Sequence, residues 1–394
     1  MSRGPRRIGR KRSDTVRLSL CMIVKNESAG LARCLRLARS HVDEIVIVDT
    51  GSTDGTQDIA REYADVFEEI EWPGSFSTAR NHSFDLAGGD YLLVLDGDEY
   101  IEGDRSWQRI RKVINRRNLL CVQLPIVNLM REDQLVAADR MYQERIMRND
   151  PRLRYTGRVH NQIQDTIRSL STEMGEDVVQ IEAEVMHTGY ALSTEAMSKK
   201  YAPRLEMLEY EYANPSSDVY RAYYGYQLAL GYYVLQRYDN AATIFNEINY
   251  DELTAQNAFY THLLASQTAL KLKNAPMALI HCNEMLTLDP NEPVAYHATG
   301  LALLLARQIG DGLLMLLEAY NVNDDARPAV RFILNPAQVL STLARICGQV
   351  GLEAHQRLFT AMYQKGTFDR QVVRSLIDSL KSDIALSERA SAHA

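Results

Sequence analysis

The chain has 394 residues, 46% of them hydrophobic and 24% charged, which excludes disorder as its main state and leaves room for two or three globular domains. No apolar run reaches the ~20 residues that a membrane helix needs; one of the longest, Gly300 to Ala306, stops at Arg307. The net charge of −7 is uneven: Arg3, Arg6, Arg7, Arg10, Lys11 and Arg12 crowd an acid-free start, so the body is more acidic still, which disfavours non-specific binding to nucleic acid or anionic lipid.

Residues 1–15 read as a basic, solvated leader without the apolar core of a secretion signal. Leu18–Val24 then reads as a buried strand, with Leu31, Cys34, Leu35 and Ala38 on helical spacing behind it. Glu44–Asp49 is a second strand and Asp54–Tyr63 a second helix; Val66–Ile70 is a short strand, Ser77–Leu86 a helix and Tyr91–Leu95 a fourth strand. This rhythm implies a mostly parallel sheet with right-handed crossovers, and the unbroken apolar strands imply that both faces are covered. After Asn118 the pattern becomes extended, over Cys121–Val127, Arg140–Arg148, Leu153–Ile163 and Val178–His187, with no long helices expected between. A first domain is expected over 16–193.

From Thr194 to the end at 394 the chain reads as helical and rich in tyrosine. A repeat in the mid-thirties is visible in copies starting at Ala222, Phe259 and Pro293, with small residues where paired helices approach and Pro290 as a stop. The spacing is that of tetratricopeptide helix pairs. The five cysteines (Cys21, Cys34, Cys121, Cys282 and Cys347) are scattered and lack any CxxC, which argues against disulfides and a zinc site and for buried thiols in a reducing cytoplasm.

The chemistry gathers where strands end. Leu95-Asp96-Gly97-Asp98-Glu99 places carboxylates just past the fourth strand, where open α/β sheets bind ligands, and Asp96 and Asp98 suit a hard cation that also holds phosphate oxygens. The second strand runs into Asp49-Thr-Gly-Ser52-Thr-Asp54-Gly, in which Asp49 can accept from a base or ribose and Ser52 or Asp54 can cap the next helix. The first strand ends at Val24 and meets Asn26 and Glu27 at the same edge. No G-x-G-x-x-G, P-loop or G-x-S-x-G is present, so dinucleotide-binding, P-loop and serine-hydrolase readings lose their support.

Cys21-Met-Ile-Val-Lys-Asn-Glu27, Val48-Asp-Thr-Gly-Ser-Thr-Asp-Gly-Thr56, Phe76-Ser-Thr-Ala-Arg-Asn81 and Leu95-Asp-Gly-Asp-Glu99 together resemble family 2 glycosyltransferases of the GT-A fold. Gly157-Arg-Val-His160 and His187-Thr-Gly-Tyr190 are similar to a metal-dependent branch with C-terminal tetratricopeptide repeats, which includes the sublancin-type peptide S-glycosyltransferases. The resemblance implies a Rossmann-like GT-A domain followed by an all-α repeat domain. It implies a UDP-sugar donor with Mn²⁺ or Mg²⁺, and transfer to a peptide or protein with inversion. Val24, Asn26, Glu27, Asp49, Ser52 and Asp54 would border the nucleoside, Arg80 and Asn81 the nucleotide-sugar, and Asp96 with Gly97 the ribose. Asp98, with Asp96 and His187, would hold the metal. Where relatives often read Val-His-Glu, this chain reads Val159-His160-Asn161, so Asp98, His160 and Glu99 stay open as the catalytic base.

Two other functions fit parts of the sequence. A modified base in DNA could be the acceptor, which the basic leader favours and the acidic body opposes. A non-catalytic repeat scaffold is the third, opposed by the intact Asp96-Gly97-Asp98. The repeats also offer a surface for a homodimer, and nothing in the sequence calls for a membrane.

Overall fold

The computed structural model describes residues 16–129, 136–160, 162–188, 194–323, 332–366 and 371–379. The basic leader, Asn161 and the pair Gly189-Tyr190 lie outside the described residues. The chain divides into two compact units, 1–126 with 142–187, and 127–141 with 188–394.

The first unit is built on β1 (Leu18–Val24), β2 (Glu44–Asp49), β3 (Val66–Glu69) and β4 (Tyr91–Val94), with α1 (Leu31–Ala38), α2 (Thr56–Tyr63) and α3 (Phe76–Leu86) as crossovers. β3, β2, β1 and β4 lie side by side and parallel. Six of the seven β1 residues are buried, because the strand is covered on both faces. The α1 helix turns Leu31, Cys34, Leu35 and Ala38 inward, one stripe at helical spacing. Ser75 starts α3 by accepting from the Thr78 amide through its hydroxyl.

The sheet then changes direction. Beyond the short β5 (Glu99–Ile101) and α4 (Asp104–Ile114), β6 (Leu119–Leu129) and β7 (Val136–Arg148) follow, and β7 pairs antiparallel with β4, Leu93 opposite Ile146. β8 (Asp177–Gln180) joins β6, and β9 (Val185–His187) pairs antiparallel with β5, His187 opposite Glu99. The order is β3-β2-β1-β4-β7-β6-β9-β5. Two expectations fail here. Among the described residues Leu153–Ile163 shows no strand, only the bridge Thr156–Gln162, and an 11-residue helix α5 (Gln164–Met174) stands where none was expected. Its Ser- and Thr-rich sequence buries just Ile167 and Leu170, too narrow a stripe to show as periodicity.

The second unit opens with α6 (Thr194–Ala213) and continues as antiparallel pairs: α7 (Asp218–Val234) with α8 (Tyr238–Glu247), α9 (Ala255–Lys271) with α10 (Ala275–Leu288), and α11 (Pro293–Leu305) with α12 (Ile309–Val322). These are the three copies seen in sequence. A fourth pair, α13 (Pro336–Gln349) with α14 (Glu353–Lys365), was not. Close approach explains the small residues. A Cβ on Gly300 would sit 2.8 Å from Leu316 Cγ, and one on Gly312 would sit 2.7 Å from Leu304 Cγ. Most of the tyrosines are packing: Tyr201, Tyr224 and Tyr226 are buried, while the Tyr212 and Tyr232 hydroxyls donate to Glu247 and Glu209. Segment 127–141 groups with this unit because β10 (Phe332–Leu334) pairs antiparallel with the start of β7, Phe332 opposite Asp139.

Candidate active site

Register places the polar residues. Val24 of β1 lies opposite Asp49 of β2, and Asp49 opposite Glu69 of β3, so three parallel strands end in one row. The loops beyond that row are tied to one another. The Asn26 amide donates to Ser52 Oγ (2.9 Å), the Glu27 amide to Thr56 Oγ1 (2.8 Å), and the Thr53 amide to Asn26 Oδ1 (2.8 Å). Asn26 adopts φ +56°, which asparagine tolerates better than most residues. Asp54 accepts from the Ser28 hydroxyl and amide with one oxygen and from Thr56 with the other. These bonds outweigh the cost of burial and hold its carboxyl down to about 2. Asn26, Ser52 and Asp54 thus tie the loops beyond β1 and β2 together.

Asp49 differs from them. It is fully buried; its Oδ1 accepts from the Gly51 and Ser52 amides and from Gln57 Nε2, and its Oδ2 is buried with no partner among the described residues. Burial pushes its pKa up, but the bonds from Ser52, Gln57 and Gly51 win and keep the carboxylate charged. A buried carboxylate oxygen without a donor is costly, and a ligand N–H would satisfy it.

The acidic turn lies between β4 and β5. Asp96 Oδ1 accepts from Arg80 Nη2 of α3 at 2.7 Å. Arg80 is 7% exposed and its Nη1 is buried with no partner among the described residues, a second unsatisfied group and this time a donor. Burial would raise the Asp96 pKa, but Arg80 and Arg145 hold it well below the usual carboxylate range. Gly97 packs directly on the β1–α1 loop: a Cβ there would lie 2.7 Å from both Cβ and Cγ of Glu27. Glu27 is placed beside the turn by this contact. Asp98 Oδ2 lies 3.3 Å from His187 Nε2, their side chains 21% and 14% exposed. Burial would lower the His187 pKa; the bond to Asp98 and the charges of Asp98, Glu99 and Asp96 overcome it and raise it.

Asn81 and Glu99 are engaged within the protein. Asn81 spends its amide on the backbone of Tyr155, donating to its O at 2.9 Å and accepting from its N at 2.8 Å, which pins the 150s loop to α3. Glu99 is 2% exposed and held by Arg145. His160 has φ +46°, in a loop joined to α3 by the Phe76 amide donating to Arg158 O. Sequence reasoning passed over Gln57, Thr56 and Arg145. Only Thr56 stood in a quoted motif; Arg145 looked like one more residue of an extended strand.

The donor set is tested against a divalent cation by the Asp98–His187 pair. An oxygen and a nitrogen 3.3 Å apart can share an ion, and Mg²⁺ or Mn²⁺ usually takes one or two protein groups plus phosphate oxygens and water. No group of three or more His, Cys, Asp or Glu residues able to hold a metal occurs among the described residues, and the pair offers two donors. The residues fit on that basis.

Comparison with known sequences bears on the first unit. The profile described as Glycosyl transferase family 2 matches residues 19–169, the span that contains every strand-end residue except His187. Residues 19–169 are a family 2 glycosyltransferase domain. The chain is similar to a TPR repeat-containing protein of Synechococcus elongatus, 33% identical over 40% of this chain and 38% of that one. It is also similar to the glycosyltransferase SunS, described as SPbeta prophage-derived, of Bacillus subtilis, 26% identical over 52% of this chain and 49% of that one. The chain spans half the length, or less, of these relatives. Among solved structures, S. aureus TarS 1-349 covers 89% of this chain and 92% of its own at 12% identity, with a TM-score of 0.34. No helix among the described residues is long and apolar enough to cross a membrane.

Proposed function

We propose that the protein is a divalent-cation-dependent glycosyltransferase that moves a sugar from UDP to a peptide or protein, with inversion, in the cytoplasm. The acidic turn carries this reading: Asp98 meets His187 at 3.3 Å while Asp96 meets Arg80 at 2.7 Å, so metal-ligating and phosphate-binding groups share one strand end. The unpartnered Asp49 oxygen supports a base with a ring N–H, which uracil, thymine and guanine have and adenine and cytosine lack. The five cysteines are unpaired and buried, consistent with a reducing compartment. The repeated helix pairs support an extended polypeptide as acceptor.

In this mechanism Asp98 and His187, with Asp96 beside them, would hold Mn²⁺ or Mg²⁺. The cation would supply neutralisation of the charge that develops on the leaving diphosphate. Arg80 turns its unpaired Nη1 to a phosphate oxygen. Asp49 fixes the base and so the distance from base to anomeric carbon. The acceptor nucleophile attacks that carbon from the face opposite the diphosphate; the new bond forms as the carbon–oxygen bond to the diphosphate breaks, and the nucleophile's proton passes to a base. Both Glu99 oxygens are engaged and Asp98 is given to the cation, which leaves His160 for that role. The enzyme's main contribution is orientation of the two substrates.

The test is turnover on UDP-, TDP- and GDP-sugars with and without Mn²⁺. Metal-dependent release of the nucleotide by the native protein, abolished in Asp98→Asn, supports the reading. Equal release with and without metal, unchanged by the substitution, refutes it.

A further inference from the structure

Beneath the acidic turn lies a buried ion pair for which the proposed chemistry has no use. Glu99 is 2% exposed and Arg145 is 7% exposed. Arg145 Nη2 donates to Glu99 Oε1 at 2.6 Å, and Nη1 reaches Val94 O at 3.4 Å, the last residue of β4. The second Glu99 oxygen accepts from the Asp96 amide at 2.9 Å, and the Glu99 amide returns a bond to Asp96 O at 3.1 Å. The turn from 96 to 99 is therefore closed twice, by side chain and by backbone. Arg145 comes from β7, the first strand to run against the parallel set.

A pair like this is an expensive way to gain stability. Taking two charges out of water costs about what their attraction returns, so buried ion pairs are weak stabilisers and are better explained by what they specify. What this one specifies is the turn. Without Arg145 the Glu99 carboxylate would be a buried, unpaired charge and would swing to water, releasing the Asp96 amide. Asp96 and Asp98 would then lose their fixed directions.

We infer that Arg145 and Glu99 are positioning residues: the buried pair sets the shape of the Asp96–Asp98 turn before any ligand arrives, and Glu99 is not the proton acceptor. The inference rests on the proposed function for its kinetic consequence, but the order of the turn can be read without it.

The experiment uses the full-length protein, the double variant Glu99→Gln/Arg145→Met and the single variant Arg145→Lys. The double variant removes both charges at near-constant volume and keeps an acceptor at position 99, so folding should be retained. Hydrogen exchange is followed on peptides covering 95–100 without ligand, and kcat and KM for the UDP-sugar are measured beside it. The expected result is exchange at least tenfold faster in this segment alone in the double variant. A fall of tenfold or more in kcat, with donor KM changed less than threefold, should accompany it. Arg145→Lys, which keeps the charge but not the fork, should fall between the two in both readouts. Unchanged exchange at 95–100 in the double variant overturns the inference whatever the kinetics show. If the double variant fails to fold, Arg145→Lys decides alone: native exchange and native kcat overturn the inference. Absence of donor turnover in the native protein would sink the proposed function, while the exchange data would still decide whether the pair sets the turn.

Discussion

Gly97 offers the sharpest test of how the site is assembled. Its φ is not in the left-handed region, so alanine is free to adopt the backbone; the question is space. The added Cβ would lie 2.7 Å from Glu27 Cβ and Cγ and 3.2 Å from Cδ. Carbon atoms pack at about 3.5–4.0 Å, so the two loops must separate by about 1 Å. Glu27 cannot simply rotate away, because its own Cβ is one of the atoms met and its amide is held by Thr56. Overpacking of this kind costs about 1–3 kcal/mol, a drop of roughly 2–12 °C in melting temperature for a unit of this size. The acidic turn moves with Gly97, and a displacement of about 1 Å can cost about 100-fold in rate. Gly300→Ala in the helical unit is the control, since its Cβ meets Leu316 Cγ at a similar 2.8 Å. Both variants should lose stability by differential scanning fluorimetry, but only Gly97→Ala should lose donor turnover per folded molecule. Equal turnover in the two, once corrected for folded fraction, would refute the claim that Gly97 seats the turn on the β1–α1 loop.

Three further outcomes follow from the same geometry. On the proposed reading, Asp49→Asn should raise donor KM about tenfold or more while leaving Mn²⁺ affinity alone, because it turns an unpartnered acceptor into a group that can present a donor; titration calorimetry with UDP and with Mn²⁺ separates the two. The helical unit should weaken in mild acid. His262 and His281 lie buried with their Nδ1 atoms 3.0 Å apart, and burial holds both, like His297, down to about 4. An unfolded chain takes up those protons near pH 6.5, so stability is complete above that value and is lost as pH falls from about 6.5 towards 4. Thermal scans between pH 7.5 and 5 should show this slope, smaller in His281→Gln, and a flat profile would exclude it. Asn81→Ala should lower thermal stability by about 1–3 kcal/mol through the lost bonds to Tyr155, with donor KM changed less than twofold; a large rise in KM would return Asn81 to the donor.

The parallel half of the sheet was legible because its strands are unbroken apolar runs, and both faces being buried leaves few other readings for Leu18–Val24 or Glu44–Asp49. The strand-end carboxylates were legible for the same reason, since polarity that begins abruptly after a buried strand marks an edge. Three helix pairs showed through small residues at close contacts such as Gly300 and Gly312. The fourth pair was not seen, although Asn335 accepts from the Ala337 amide and Pro336 opens the helix. Helix α5 was hidden by its narrow buried stripe. Partner choice was the least legible part. Asn26, Ser52, Asp54 and Asn81 have the residue types of ligand contacts, and the loop-to-loop bonds they make left no mark of their own in the sequence; Arg145 carried no local mark because its partner Glu99 lies far away in sequence.

The central claim is that the turn at the tip of β4 couples a cation to a nucleoside diphosphate. Its most direct test is the affinity of UDP measured by calorimetry in the presence and absence of Mn²⁺, for the native protein and for Asp98→Asn. Binding that tightens at least tenfold with Mn²⁺ in the native protein, and loses that gain in the variant, is the predicted result. Affinity for UDP that ignores Mn²⁺ in both proteins would contradict the account.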